Sequence, residues 1–173
     1  MFHTSKQDRI NVFEDTRKLY ESNEVLKNAI HDSKSRQVVV SEEETVCIES
    51  NLRRYETPAQ VIVSKKRSFE AAKEYTGRKV CVLNFASATN PGGGVVKGAS
   101  AQEEALCRCS SLYPCISDPE VVNKFHRKHK NALKDGKMTP LYNDDCIYTP
   151  DVIVCKYDTN NPERMPEYLT QCR

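Results

Sequence analysis

Four of the chain's six glycines fall between residues 86 and 98, at Gly92, Gly93, Gly94 and Gly98. Glycine gains so much backbone freedom in the unfolded chain that a stretch this rich in it is expected to be a loop, neither helix nor strand. The sequence on either side is different in character. Val80-Cys81-Val82-Leu83, running on to Asn84-Phe85, is a short apolar run of the kind that makes a buried strand. After the loop, Ser100-Ala101-Gln102-Glu103 has the serine-to-glutamate spacing of a capping box, and Leu106, Cys109 and Leu112 follow at intervals of three. A strand, a glycine loop and a helix start at Ala101 are therefore expected in immediate succession.

The rest of the chain is arranged around that unit. Ile10, Phe13, Leu19, Val25, Leu26 and Ile30 sit in a charged background at spacings that predict one or two amphipathic helices over residues 5 to 30. Val38-Val39-Val40 and Thr45-Val46-Cys47-Ile48 read as a hairpin or two edge strands, with the glutamates between them as a solvated turn. Val61-Ile62-Val63 is a third strand candidate. It leads into a helix over 64 to 75, in which Phe69, Ala72 and Tyr75 recur at threes before Gly77. With the run ending at Phe85 this predicts a strand, helix, strand unit and hence an α/β fold. Ser117-Asp118-Pro119-Glu120 signals a further helix that ends near Gly136, and residues 151 to 156 read as a last strand.

A chain of 173 residues with 38% hydrophobic and 29% charged residues has the composition of a globular domain, and one domain spanning 1 to 173 is expected. The formal charge of +2 is too small for a duplex-binding surface, so no specific nucleic-acid partner is expected. No apolar stretch approaches membrane-spanning length, and the first residues are too polar for a signal peptide. Eight cysteines are accordingly expected to be reduced thiols in the cytoplasm or nucleus.

Chemistry concentrates at the central unit. Successive glycines let backbone N–H groups approach a ligand and form a concavity for phosphate or a negatively polarised oxygen. Beside them Glu103 and Glu104 stand on the first turn of a helix, where the bland reading is that they complement the macrodipole or close the capping box. A glycine-rich anion cradle next to two carboxylates is also what cleavage of a sugar linkage in a phosphorylated ligand requires.

The segment Leu83-Asn84-Phe85-Ala86-Ser87-Ala88-Thr89-Asn90-Pro91-Gly92-Gly93-Gly94, then seven residues, then Gln102-Glu103-Glu104-Ala105-Leu106-Cys107-Arg108, resembles the signature of bacterial-type poly(ADP-ribose) glycohydrolases. Phe69-Glu70-Ala71-Ala72, Ser111-Leu112-Tyr113 and Ile147-Tyr148-Thr149-Pro150 look like the same family. The resemblance implies a macrodomain-like three-layer fold, a mixed sheet between helices, in which residues 1 to 30 are an N-terminal helical segment. It implies hydrolysis of the ribose-ribose bond of poly(ADP-ribose) with no cofactor and no metal. Glu104 would be the catalytic glutamate, and Glu103 would bind the distal ribose hydroxyls. Asn90, Gly92, Gly93 and Gly94 would line that sugar's site, with Gln102 and backbone groups of Phe85, Ala86 and Ser87 close to the ligand. Partners would be poly(ADP-ribose) or ADP-ribosylated proteins, with ADP-ribose as product. To protonate a leaving oxygen, Glu104 must hold its proton against the helix dipole. The neighbouring charge of Glu103, burial under substrate and a ligand diphosphate are expected to achieve this when ligand is bound.

The resemblance runs from about Asp8 to about Lys156 and lacks a second glycine-rich loop, since only Gly136 follows Gly98. The chain thus reads as the first half to two-thirds of the domain, with C-terminal strands missing. It could be a fragment, a truncated gene model or a degenerate member. The alternatives to a hydrolase are an ADP-ribose-binding module without turnover and a zinc protein using Cys107, Cys109, Cys115, His126 and His129. A third is nucleic-acid binding through the basic run 124 to 130, a run that would also suit polyanionic poly(ADP-ribose).

Overall fold

In the computed structural model the described residues are 4–44, 56–75 and 77–169. The N-terminal pattern resolves into two helices, α1 (Lys6–Ser22) and α2 (Glu24–Arg36). Ser5 and Asp8 form a reciprocal capping box at the start of α1. Asn23 makes the break: it ends α1, and its side chain accepts a hydrogen bond from the Leu26 N–H at 3.0 Å to start α2.

Strand β1 (Val38–Val40) pairs antiparallel with β2 (Cys146–Tyr148), Val39 opposite Ile147. The expected hairpin partner at 45 to 48 lies outside the described residues. The strands expected at Val61–Val63 and 79–85 do not form a ladder among the described residues. Val61, Ile62, Val63, Leu83 and Phe85 are instead exposed and outside any helix or strand. A β-branched run favours extended dihedrals, but it becomes a strand only when a neighbouring backbone supplies hydrogen bonds. Similarly, 151 to 156 contributes only two isolated bridges, Val154 with Ser110 and Lys156 with Tyr168.

Between 64 and 75 the helix is shorter than expected: α3 (Ser68–Ala72) followed by one tighter turn, Lys73–Tyr75. The buried carboxylate of Asp158 fixes its start, accepting from the Phe69 N–H at 3.2 Å and pairing with Arg67 at 2.6 Å. Next come α4 (Gln102–Cys109), α5 (Leu112–Ile116) and α6 (Pro119–Val121). One widened π-type turn over Val122–Arg127 connects α6 to α7 (Lys128–Lys134). Asp118 caps this long helix as its sequence signature indicates.

The core joins these pieces around the glycine loop. Phe13 of α1, Val95 of the loop and Leu106, Cys107, Leu112 and Ile116 form one buried cluster. Tyr113 packs edge-on against Phe13 with ring centroids 4.9 Å apart. Thr16 and Tyr20 hydrogen-bond the backbone carbonyls of Arg108 and Ser110, tying α1 to the end of α4. Ala88, Gly92, Val95 and Gly98 thus anchor the loop to the interior, while Asn90 and Val96 stay exposed.

Candidate active site

In an α-helix the Cα–Cβ bonds lean toward the N-terminus, so first-turn side chains reach back over the segment that precedes the helix. Gln102, Glu103 and Glu104 do so, and each grips a different part of the loop.

Gln102 uses both ends of its amide. Its Oε1 accepts from the Phe85 N–H at 2.8 Å, while its Nε2 donates to the Leu83 carbonyl at 2.7 Å and to Ser68 Oγ at 3.0 Å. One side chain thereby replaces the strand neighbour that segment 83–85 lacks. Glu103 is almost fully buried and uses both oxygens: Oε2 accepts from the Ser87 N–H at 2.8 Å and Oε1 from the Gly92 N–H at 3.2 Å. The capping box expected at Ser100 is not made. Ala101 is the cap residue and has no side-chain acceptor, and the carboxylate of Glu103 is committed to the loop. Glu104, also buried, accepts from the Gly94 N–H at 2.8 Å through Oε1. Its Oε2 has no hydrogen-bond partner among the described residues.

The glycines make this possible. Gly92 and Gly93 have φ of +70° and +56°, in the left-handed region that other residues enter at a cost. A Cβ on Gly93 would lie 2.5 Å from Glu104 Oε1, and one on Gly92 would lie 2.7 Å from the Tyr113 ring. The three amides expected to cradle a ligand anion are engaged within the protein. Gly92 and Gly94 donate to the two carboxylates, and Gly93 donates to the Asn90 carbonyl at 3.0 Å. The concavity is filled by the protein's own anions.

The two carboxylates thus sit in different environments. Burial raises the Glu103 carboxyl above the ordinary glutamate range; the Ser87 and Gly92 amides pull it back, and the charge of Glu104 adds to the rise. Beneath them lies Arg108, whose buried guanidinium donates to the Ala99 carbonyl at 2.7 Å. Burial lowers it to about 10, with Glu104 among the groups opposing that, so it stays a cation at neutral pH.

Ser87 accepts from the Asn90 N–H through Oγ, and Asn90 is exposed, its side-chain amide bonded to Thr89. Phe85 projects into solvent and Ala86 closes a tight turn onto the Asn84 carbonyl. Ser87, Gly92 and Gly94 thus bond the two glutamates directly, whereas Phe85 is held by Gln102 and Asn90 bonds only within the loop among the described residues. The sequence assigns no role to Arg108 or Tyr113, which stand within the family-like flanks without a local chemical signal, and it offers His126 only as a zinc ligand or as part of a basic run.

His126, at 2% exposure, points inward from the π-type turn, and its Nδ1 lies 3.2 Å from the Ala88 carbonyl. Its Nε2 has no partner. The neutral ring with hydrogen on Nδ1 satisfies this geometry and supports the loop from behind. An Asn side chain places its NH2 where Nδ1 stands, whereas Gln places it where Nε2 stands. His126→Asn is therefore expected to keep the amide of Ser87 protected from hydrogen exchange, and His126→Gln to expose it. Burial, with the nearby His129, lowers the proton affinity of His126. Below about pH 6.5 the unfolded chain then binds more protons at this position than the folded one, so stability falls as pH falls. Denaturant titrations should show the wild type losing up to about 1.4 kcal/mol per pH unit relative to His126→Asn.

Among the described residues no group of three or more His, Cys, Asp or Glu side chains could hold a metal ion. The ligands of the zinc alternative are used otherwise: His129 bonds the Phe125 carbonyl and Asn143, and the thiols of Cys109 and Cys115 bond backbone carbonyls of their own helices. No helix among the described residues is long and apolar enough to cross a membrane.

Residues 3–157 match the family described as the microbial-type PARG catalytic domain, PARG being poly(ADP-ribose) glycohydrolase. The chain belongs to that family. The structure is similar to poly(ADP-ribose) glycohydrolase from Thermomonospora curvata, with a TM-score of 0.80 and 27% identity over 95% of this chain and 60% of that one. The same protein bound to the inhibitor ADP-HPD gives 0.76 at 26% identity, again over 95% of this chain and 59% of the other. The enzyme from Deinococcus radiodurans in complex with ADP-ribose gives 0.62 at 29% identity, over 83% and 54% of the two chains. No curated protein matches the chain. The α/β fold with a short sheet is thus shared with these structures, and the chain spans about 60% of their length.

Proposed function

We propose that the chain takes part in hydrolysis of the ribose-ribose O-glycosidic bond of poly(ADP-ribose), with Glu104 as the acid and then the base. The observation that carries this reading is the asymmetry of the pair. Both oxygens of Glu103 are held by backbone amides, while Glu104 has one oxygen fixed by Gly94 and the other without a partner among the described residues. A carboxyl oriented through one oxygen and free at the other is suited to proton transfer.

In the proposed reaction the Glu104 carboxyl donates its proton to the bridging oxygen as the bond from that oxygen to the anomeric carbon breaks. The positive charge that develops on the ribose is stabilised by the carboxylates and by the substrate's own phosphates. A water molecule then adds to the anomeric carbon and returns its proton to Glu104. Glu103 keeps acceptor capacity for the distal ribose hydroxyls while fixing Ser87 and Gly92. Asn90 and the backbone at 85–87 line the same sugar, no cofactor takes part, and the setting is the cytoplasm or nucleus.

A non-catalytic ADP-ribose-binding module is the alternative, favoured by the chain's coverage of about 60% of its structural relatives. Incubation of the chain with a poly(ADP-ribosyl)ated protein, with ADP-ribose binding measured on the same preparation, separates the two. Release of free ADP-ribose supports the hydrolase. Binding without release supports the module, and neither binding nor release would refute both.

A further inference from the structure

The helix that carries His126 has an outer face that the reaction leaves unused. Its inward residues Val121, Phe125, His126 and His129 are buried, which fixes the opposite face toward solvent. On that face Arg127, Lys130 and Lys134 are exposed at i, i+3 and i+7, the spacing of neighbours along one side of a helix.

Several nearby cations are neutralised. Lys124 pairs with Glu120 at 2.6 Å, Lys128 with Asp145 at 2.8 Å and Lys137 with Asp135 at 3.8 Å. Arg127, Lys130 and Lys134 have no carboxylate within ion-pair distance among the described residues. The result is a strip of uncompensated positive charge roughly 10 Å long, on a chain whose overall charge is close to neutral. The same helix touches the Ala88 carbonyl through His126, so the strip stands about one helix thickness, ~10 Å, from the loop that holds Glu103 and Glu104.

We propose that this strip binds the phosphates of a poly(ADP-ribose) chain outside the Glu104 site, and so holds polymer in preference to single ADP-ribose units. The proposal rests on the reading of that site given above. A linear polymer of diphosphates offers repeated charge to a row of cations, and Arg127 adds the planar fork that grips phosphate through two bonds. A monomer held at Glu104 has no further unit to reach the row.

The test uses fluorescent poly(ADP-ribose) of defined length and three proteins: the wild type, Arg127→Glu/Lys130→Glu/Lys134→Glu, and a control with the same charge change at the exposed Lys18, Lys27 and Lys65. Binding of monomeric ADP-ribose is measured alongside. The strip variant is expected to bind polymer at least about tenfold more weakly, and to lose about 2 from the slope of log affinity against log salt, at ~0.7 per phosphate contact. The control should change polymer affinity by less than about twofold, since its lysines stand on separate elements and form no row along one side of a helix. Monomer binding should be equal in all three. The neutral variant Arg127→Gln/Lys130→Gln/Lys134→Gln should behave as the strip variant does, which excludes new repulsion as the cause. Equal losses in strip variant and control, unchanged polymer affinity in the strip variant, or a wild type that does not bind polymer would each overturn the proposal. So would displacement of polymer by a single-stranded oligonucleotide of equal charge as readily as by unlabelled polymer. Should the wild type bind polymer through the strip yet fail to bind monomer, the strip stands and the Glu104 site reading falls.

Discussion

Gly93→Ala is expected to reduce ADP-ribose release by at least about a hundredfold, because small displacements of a catalytic group carry penalties of that size. Two effects act together at this position. The backbone is left-handed at φ +56°, which costs a non-glycine residue ~1 kcal/mol or more, and the new methyl would stand 2.5 Å from Glu104 Oε1 and 3.1 Å from Glu103 Oε2. Gly136→Ala separates them. That glycine has φ +68° with nothing within 4 Å of the added carbon, so it carries similar backbone strain without the contact. In denaturant titrations Gly136→Ala should lose ~1 kcal/mol and Gly93→Ala more, because the contact adds to the strain. Only Gly93→Ala should lose activity, read as the initial rate of ADP-ribose release.

Glu104→Gln is expected to lower the single-turnover rate by about 10²- to 10⁴-fold, the range for removing a general acid-base group. The substitution is close to isosteric, and the Gln carbonyl can still accept from the Gly94 N–H, so the loop should keep its shape and polymer affinity should hold. A loss in binding equal to the loss in rate would assign Glu104 to ground-state binding and not to proton transfer.

How far the sequence revealed all this differs from element to element. The glycine loop and the helix after it were legible because glycine density and apolar periodicity are local properties. The Asp118 cap was legible for the same reason. The roles of the first-turn acids were not: Ser100 and Glu103 have the spacing of a capping box, but the loop amides at Ser87 and Gly92 compete for the same carboxylate and win. Nothing in the local spacing reveals such a competitor. The runs at Val61–Val63 and Val80–Leu83 show how a propensity for extended backbone says nothing of a ladder partner. Conversely β1 finds its partner at Cys146–Tyr148, more than a hundred residues away. His126 was read as one member of a basic run because its inward direction depends on the widened turn over Val122–Arg127.

The proposed reaction turns on where Glu104 stands relative to a bound sugar, and a crystal structure of the chain with ADP-ribose measures that directly. The expected result has the Gly94 N–H still bonded to Glu104 Oε1, and Oε2 within about 3 Å of the anomeric hydroxyl of the distal ribose. A ribose seated elsewhere in the protein, or a Glu104 side chain swung away from the glycine turn when the ligand is present, would contradict it.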